Sequence, residues 1–509
     1  MKKIIICLLV MFVAVFALTG CQEKNTPVEE GTFLTMEEVI SAAKANTKGK
    51  GGSVDYTVTG TPNFEVPEGG YDGSAVTITF YHTMGQNLSA VLDEYLQEFY
   101  KLYPNITVNH KQVGGYDDVR SQISTEITTN SQPNLAYCYP DHVALYNVSG
   151  AVATLDNLID STASDGRGGQ LGLTQAQKDD FIEGYYNEGR QFGDGLMYSM
   201  PFSKSTEVLY YNKTFFAENN IQVPDHWFME SENDTTAMEY VCKKILEIDP
   251  YSIPLGYDSE ANWFITMCEQ IGSDYTTNAA GSSHFLFNNA YNRTVFREFR
   301  NWYKETYVTT QAIYGAYTSG LFTSTDQSKS YMSIGSSAGA THQRPAKVDE
   351  AYPFEVGIAP IPQMNKDNPK VISQGPSLTI FNKSNPQEVI ASWLLVKFLT
   401  TSVEFQAQFS MVSGYVPVIK SVAENEVYKA DFLDKADGYD YVAALSAKVC
   451  LEQADYYYTS PAFNGSSKAR DEVGALVPAV FALADSNLDA QIVKVFQDAV
   501  DNCKFFAGE

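Results

Sequence analysis

Val76-Thr77-Ile78-Thr79-Phe80 alternates apolar and polar side chains, the signature of a half-buried strand. The residues after it change period: Leu88, Val91, Leu92, Tyr95, Leu96, Phe99 and Tyr100 recur at helical spacing until Pro104 stops them. A second strand-like run, Ile106-Thr107-Val108, leads through Gly114-Gly115 to a helix carrying Val119, Ile123 and Ile127, and then to the apolar Leu135-Ala136-Tyr137-Cys138-Tyr139. This βαβαβ order predicts an α/β fold with a mostly parallel sheet covered by helices on both faces. Ligands of such sheets sit beyond the carboxyl ends of the strands, which singles out Tyr81, His82, Tyr116 and the Pro140-Asp141-His142 turn.

Further along, Glu207-Val208-Leu209-Tyr210-Tyr211-Asn212 reads as another strand, after which the chain turns helical and aromatic, with Trp227, Trp263 and Trp302. A second lobe is expected to start there. Ser377-Leu378-Thr379-Ile380-Phe381 reads as a strand leading to an amphipathic helix over 388–399, and the section after Met411 is mostly helical by its apolar spacing.

Composition fits this size of core. The chain has 509 residues, 44% of them apolar, which suggests about three units of ~150 residues or two large lobes with a tail. With 61 acidic against 35 basic side chains, the formal charge of −26 opposes binding to nucleic acid or anionic lipid through the general surface. A small anion in one local basic pocket remains compatible with that charge.

Lys2 and Lys3 precede an apolar run from Ile4 to Leu18, which reads as a signal peptide over 1–20. Leu18-Thr19-Gly20-Cys21 resembles the bacterial lipobox, so Cys21 is expected to be lipidated and to anchor the protein to the outer face of the cell membrane. Residues 21–74 are rich in Gly, Thr, Glu and Pro and read as a flexible tether, with at most a helical turn or two at Met36-Glu37-Glu38-Val39-Ile40. The remaining cysteines, Cys138, Cys242, Cys268, Cys450 and Cys503, are scattered singly without a C-x-x-C pair and read as buried thiols.

Enzyme signatures are weak. Gly335-Ser336-Ser337-Ala338-Gly339 fits the G-x-S-x-G pattern, but the last histidine, His342, follows too closely to complete the usual Ser, acid, His order. A secreted glycosidase needs two apposed carboxylates, which the sequence alone does not locate. No Walker A loop, H-E-x-x-H or EF-hand spacing occurs, and His82 and His142 read as hydrogen-bonded structural side chains. No catalysis, cofactor or metal is therefore expected.

A set of short motifs in fixed order carries a family resemblance. They are Phe80-Tyr81-His82-Thr83-Met84-Gly85, Gly115-Tyr116-Asp117-Asp118 and Met200-Pro201-Phe202-Ser203-Lys204-Ser205 running on to Tyr210-Tyr211-Asn212-Lys213. Gly357-Ile358-Ala359-Pro360-Ile361-Pro362, Gln374-Gly375-Pro376-Ser377-Leu378 and Ser413-Gly414-Tyr415-Val416-Pro417-Val418 follow. Over residues 75–509 the chain resembles the family-1 extracellular solute-binding proteins, the substrate-binding lipoproteins of ABC importers. The resemblance implies a monomeric two-lobed fold of the type II periplasmic binding-protein kind, with the ligand in a hinged cleft and permease subunits as partners. It places the N-terminal lobe at 75–205 and 356–410, the C-terminal lobe at 206–355 and 411–509, and lobe crossings near 203–212, 352–357 and 409–415.

Within the family the pattern is most similar to the glycerol-3-phosphate and glycerophosphodiester branch. Its ligand contacts map onto Tyr116, Ser205, Ser337 or neighbouring Ser336, Gly375, Tyr415 and Arg470. The branch has an acid directly after the third-strand Tyr; here Pro140 follows Tyr139 and the carboxylate comes as Asp141, which leaves an oligosaccharide as the alternative ligand. Arg470 suits a phosphate because a guanidinium donates two parallel hydrogen bonds and stays charged when desolvated; the competing reading pairs it with Asp471 or Glu472 on a solvated helix face. Tyr116, Tyr415 and Trp263 are candidate flat faces against the ligand, with ordinary packing as the alternative.

Overall fold

The computed structural model describes residues 31–47, 57–279, 281, 283–326, 329–435 and 440–509. The signal segment and Cys21 lie outside the described residues. In chain order the strands are β1 (Val76–His82), β2 (Ile106–Gln112), β3 (Leu135–Cys138), β4 (Met200–Pro201), β5 (Glu207–Asn212), β6 (Leu255–Tyr257), β7 (Val308–Thr310), β8 (Met332–Ser336), β9 (Val356–Ala359), β10 (Val371–Ile372), β11 (Ser377–Ile380) and β12 (Tyr457–Tyr458).

Strands β1, β2 and β3 form the expected parallel core of one sheet, ordered β2-β1-β3-β11-β4, with Val76 opposite Ile106 and Phe80 opposite Leu135. Alternation along β1 buries Val76, Ile78, Phe80 and His82, as the period-two pattern requires. The last two strands, β11 and β4, run antiparallel to their neighbours. The helix Gln86–Leu102 turns Val91, Leu92, Leu96 and Phe99 inward. The helix Pro386–Thr401 was expected to be amphipathic. Instead it buries Val389, Ile390, Ala391, Trp393, Leu394, Leu395, Val396 and Leu399, because β1, β4 and β11 pack on it together with the helix Val403–Ser413.

The second sheet, ordered β7-β6-β8-β5-β9, builds the other lobe. Here the structure corrects the expected boundary at 356: β9 pairs with β5, Leu209 opposite Ala359 and Asn212 opposite Val356, so it belongs to the second lobe. The middle crossing therefore falls at residues 373–376, where Gln374 bridges Ser205. The third meets the first at residues 414–416, where Val416 bridges Lys204, just after the helix Val403–Ser413, which packs against the helix Gln86–Leu102.

The expectation of a flexible tether over 21–74 fails where that segment is described. Thr35 and Glu38 form a capping box, Thr35 N–H to Glu38 Oε2 at 2.8 Å and Glu38 N–H to Thr35 Oγ1 at 3.2 Å, that starts a helix Met36–Ala45. Its Val39 and Ala43 are buried against the helices Glu260–Ile271 and Ala290–Lys304 of the second lobe. Residues 57–74 lie instead along the first lobe: Asn63 Nδ2 donates to Val152 O at 2.8 Å, Asn157 Nδ2 donates to Phe64 O at 2.9 Å, and Phe64 and Tyr71 are buried. The segment thus lays its two described parts on different lobes.

Candidate functional site

Three chain segments pass between the lobes side by side. Lys204 N–H donates to Val416 O at 3.1 Å and Val416 N–H to Lys204 O at 2.6 Å. Ser205 N–H donates to Gln374 O at 2.8 Å and receives Gln374 N–H at 2.9 Å. Lys204 is fully buried, its ammonium paired with Glu188 and donating to Gly375 O at 3.0 Å and Ser377 Oγ at 2.9 Å. Burial holds the Glu188 carboxyl above its usual range even beside that cation. Gly375 needs its freedom: φ is +96°, and a Cβ there would sit 2.6 Å from Ser203 O.

Against these crossings the structure gathers residues far apart in sequence. Tyr116 opens the helix Tyr116–Ile127, with its hydroxyl 3.4 Å from that of Tyr415, and its ring stacks obliquely on Tyr139 at 4.7 Å. Asp141 lies in the first turn of the helix Pro140–Asn147, and with Tyr139, Gln374 and Arg470 it lines a cavity of ≈ 80 Å³. Arg470 reaches there from the helix Ser466–Phe481 and hydrogen-bonds Asn262 Oδ1, forming no ion pair with Asp471 or Glu472 among the described residues. Asn262 Nδ2 in turn donates to Gln374 Oε1 at 2.8 Å, which ties the arginine to the middle crossing.

Ser205 and Ser337 are buried. Ser337 Oγ accepts Thr206 N–H at 3.2 Å, and its own N–H donates to Thr206 O at 2.8 Å, so the hydroxyl of the G-x-S-x-G match braces the first crossing. Trp263 is not on the cleft. It is fully buried in the second lobe, stacked on Tyr257 at 4.7 Å and packed against Phe299 at 4.5 Å, because its helix turns that face inward. His82 meets His110 Nδ1 at 2.9 Å and takes Met84 N–H on Nδ1 at 3.1 Å, a structural arrangement. All five body cysteines are buried and unbridged.

The candidate Ser336 lines the larger cavity, ≈ 700 Å³, but sequence reasoning passed over its partners there: the cavity shares Gln374 with the smaller one and is also lined by Glu207, Asp258, Asn262, Tyr317, His342 and Gln343. Glu207 begins β5 and is fully buried; Tyr257 Oη donates to its Oε2 at 2.7 Å. Burial pushes its carboxyl up to about 7, while Tyr257, Asn262 and Arg470 pull it down and Asp258 adds to the rise. The available signal was an acid opening the otherwise apolar run Val208-Leu209-Tyr210.

A family model described as "Bacterial extracellular solute-binding protein" matches residues 94–434. The chain belongs to that family. It is 25% identical over 157 residues to the sn-glycerol-3-phosphate-binding periplasmic proteins UgpB of Salmonella typhimurium and Escherichia coli, an alignment covering 30% of this chain and 34% of theirs. The chain thus spans about a third of the length of these curated relatives. UgpB from Mycobacterium tuberculosis in complex with glycerophosphocholine superposes with a TM-score of 0.62 at 18% identity, covering 84% of this chain and 99% of that one. The sugar-binding protein MalE of Xanthomonas citri gives 0.62 at 15%, covering 84% and 98%. The acarbose-binding GacH receptor of Streptomyces glaucescens gives 0.60 at 16%, covering 84% and 98%. These likenesses show the two-lobed fold of type II solute-binding proteins, with the three crossings described above as its hinge.

Proposed function

We propose that this solute-binding protein is the receptor of an ABC importer, anchored through Cys21, and that it captures a glycerol 3-phosphate or glycerophosphodiester type of solute by closing its lobes. The observation that carries this reading is Arg470: a cationic fork lining the cavity beside the hinge, bonded to a neutral amide and forming no ion pair among the described residues. An anionic ligand supplies the missing countercharge, and a phosphate accepts two parallel hydrogen bonds from such a fork. Tyr116, Asp141, Ser205, Ser337, Gly375 and Tyr415 complete the proposed site, with Tyr116 brought by the first lobe and Tyr415 by the third crossing. Ligand contacts on both lobes favour the closed form, which the permease reads. A non-catalytic role is supported by Ser337, whose hydroxyl is engaged with backbone instead of a base.

An oligosaccharide is the second reading, favoured by the volume and polar lining of the ≈ 700 Å³ cavity. Titration calorimetry with glycerol 3-phosphate, glycerophosphodiesters and maltotriose decides between the two. The binding solute should also raise the melting temperature, by the equivalent of about 2.7 kcal/mol at a hundredfold excess over Kd, and should be recovered unchanged. Turnover of any of them overturns the receptor reading.

A further inference from the structure

The stretch before β1 has two footings. Residues 31–47 rest on the second lobe: Leu34 N–H donates to Thr294 Oγ1 at 2.9 Å, Arg293 donates to Thr32 O at 3.0 Å, and the Arg297 guanidinium lies over the Phe33 ring at 4.6 Å. At the other end of the helix Met36–Ala45, Lys44 pairs with Glu230 at 2.5 Å, while Asn365 donates to Ala43 O at 3.2 Å and Asn368 to Asn46 O at 2.9 Å. A helix of 10 residues is marginal in water on its own, so the burial of Val39 and Ala43 on this lobe is what keeps it formed. Residues 57–74 rest on the first lobe, where Thr59 N–H donates to Asp194 O at 2.8 Å, Tyr71 N–H to Ser164 O at 2.9 Å and Gln387 Nε2 to Gly70 O at 3.0 Å. A spacer that served only for length would need neither footing.

We infer that the first footing is a dock: it brings the membrane anchor out of the second lobe, beside the helix Ala290–Lys304, and sets that side toward the lipid surface. This rests on Cys21 being the anchor. Ten residues separate Cys21 from Gly31, where the docked segment begins, so they reach at most ~35 Å even when fully extended. With the dock open, the chain would leave the body at Thr57 on the first lobe, and the 36 residues from Cys21 would reach up to ~125 Å. The dock therefore shortens the leash about threefold and changes the lobe that it holds. Attraction to the bilayer is not what brings the lobe close, because the formal charge of −26 opposes adsorption to anionic lipid.

The test uses the full lipidated protein in phosphatidylcholine vesicles that carry an acceptor dye on their headgroups. A donor dye is attached to a cysteine introduced as Ala490→Cys, beside the Asp489 that pairs with Arg297, or as Gln97→Cys in the first lobe. Both positions are exposed, and the five body cysteines are buried and do not compete for the label. With the leash about threefold shorter and fixed to the second lobe, the Ala490 donor should be quenched at least about twofold more than the Gln97 donor. Val39→Asp, or Ala43→Asp as an independent break of the same buried face, should level the two or reverse them. Equal quenching in the wild type, or a difference that survives both substitutions, overturns the dock and leaves the anchor standing. Protein that does not float with the vesicles removes Cys21 as the anchor, and the inference falls with it.

Discussion

Replacing Lys204 by methionine keeps the apolar stem and removes the ammonium that joins the first crossing to Glu188, Gly375 and Ser377. What remains is a fully enclosed Glu188 whose other hydrogen bond is from Ser377 Oγ at 3.3 Å. Removing one partner of a buried pair costs about 3–5 kcal/mol, because the survivor keeps its desolvation penalty without the opposing charge. Glu188 has a way to reduce that cost. Its carboxyl is already held above the usual range by burial, and without Lys204 it rises further and takes up a proton. The folded variant then binds a proton that the unfolded chain releases above its ordinary carboxyl pKa, so the loss should be smallest near pH 5 and approach the full value at pH 8. Urea unfolding followed by tryptophan fluorescence measures it. The double variant Lys204→Met with Glu188→Gln should recover at least about 2 kcal/mol at pH 8, a coupling expected of groups in contact. Additive losses, or a loss independent of pH, would refute the account of the hinge.

Val39→Asp, which puts a charge on the buried face of the helix Met36–Ala45, should raise amide exchange over that helix by about tenfold or more while the β1 amides keep their protection; unchanged exchange would mean the helix is not held by this face. His82 is held down to about 4 by burial and by neighbouring His110. The unfolded chain therefore takes a proton near pH 6.5 that the folded chain refuses, so stability should fall as pH drops from about 6.5 to 4, by at most about 3 kcal/mol from this residue. Thermal melts of His82→Gln should show a shallower fall over that range than the wild type, and parallel curves would contradict the burial argument.

Local patterns were readable and long-range partners were not. The period-two run at 76–80 and the helical spacing after it specify β1 and its helix from side-chain placement alone, and both appear as expected. Lobe membership of β9 is different: Val356–Ala359 would read as the same strand in either sheet, and only its pairing with β5 some 150 residues earlier assigns it. The helix Met36–Ala45 was underestimated because it buries only Val39 and Ala43, although the Thr35–Glu38 capping box marks its start. At the site, family motifs brought Tyr116, Tyr415 and Arg470 to attention. That the first two meet across 299 residues, and that Arg470 rests on Asn262, are consequences of lobe geometry. Trp263 was misjudged because a tryptophan near a cleft and one in a core look alike in sequence. Glu207 was overlooked because an acid at a strand's first position usually faces water.

The measurement that bears most directly on the central claim is the affinity of Arg470→Ala and Arg470→Lys for whichever phosphate ester the calorimetric panel shows to bind. If Arg470 holds the anion, the alanine variant should lose about 2–5 kcal/mol of binding free energy, as truncating one side of a buried charged pair does. The lysine variant should fall between, because an ammonium lacks the planar fork, and melting without ligand should barely move. A loss confined to about 0.5–1.5 kcal/mol, the worth of an ordinary hydrogen bond, with larger losses on truncating Tyr116 or Tyr415, would contradict the anion site and favour a neutral sugar.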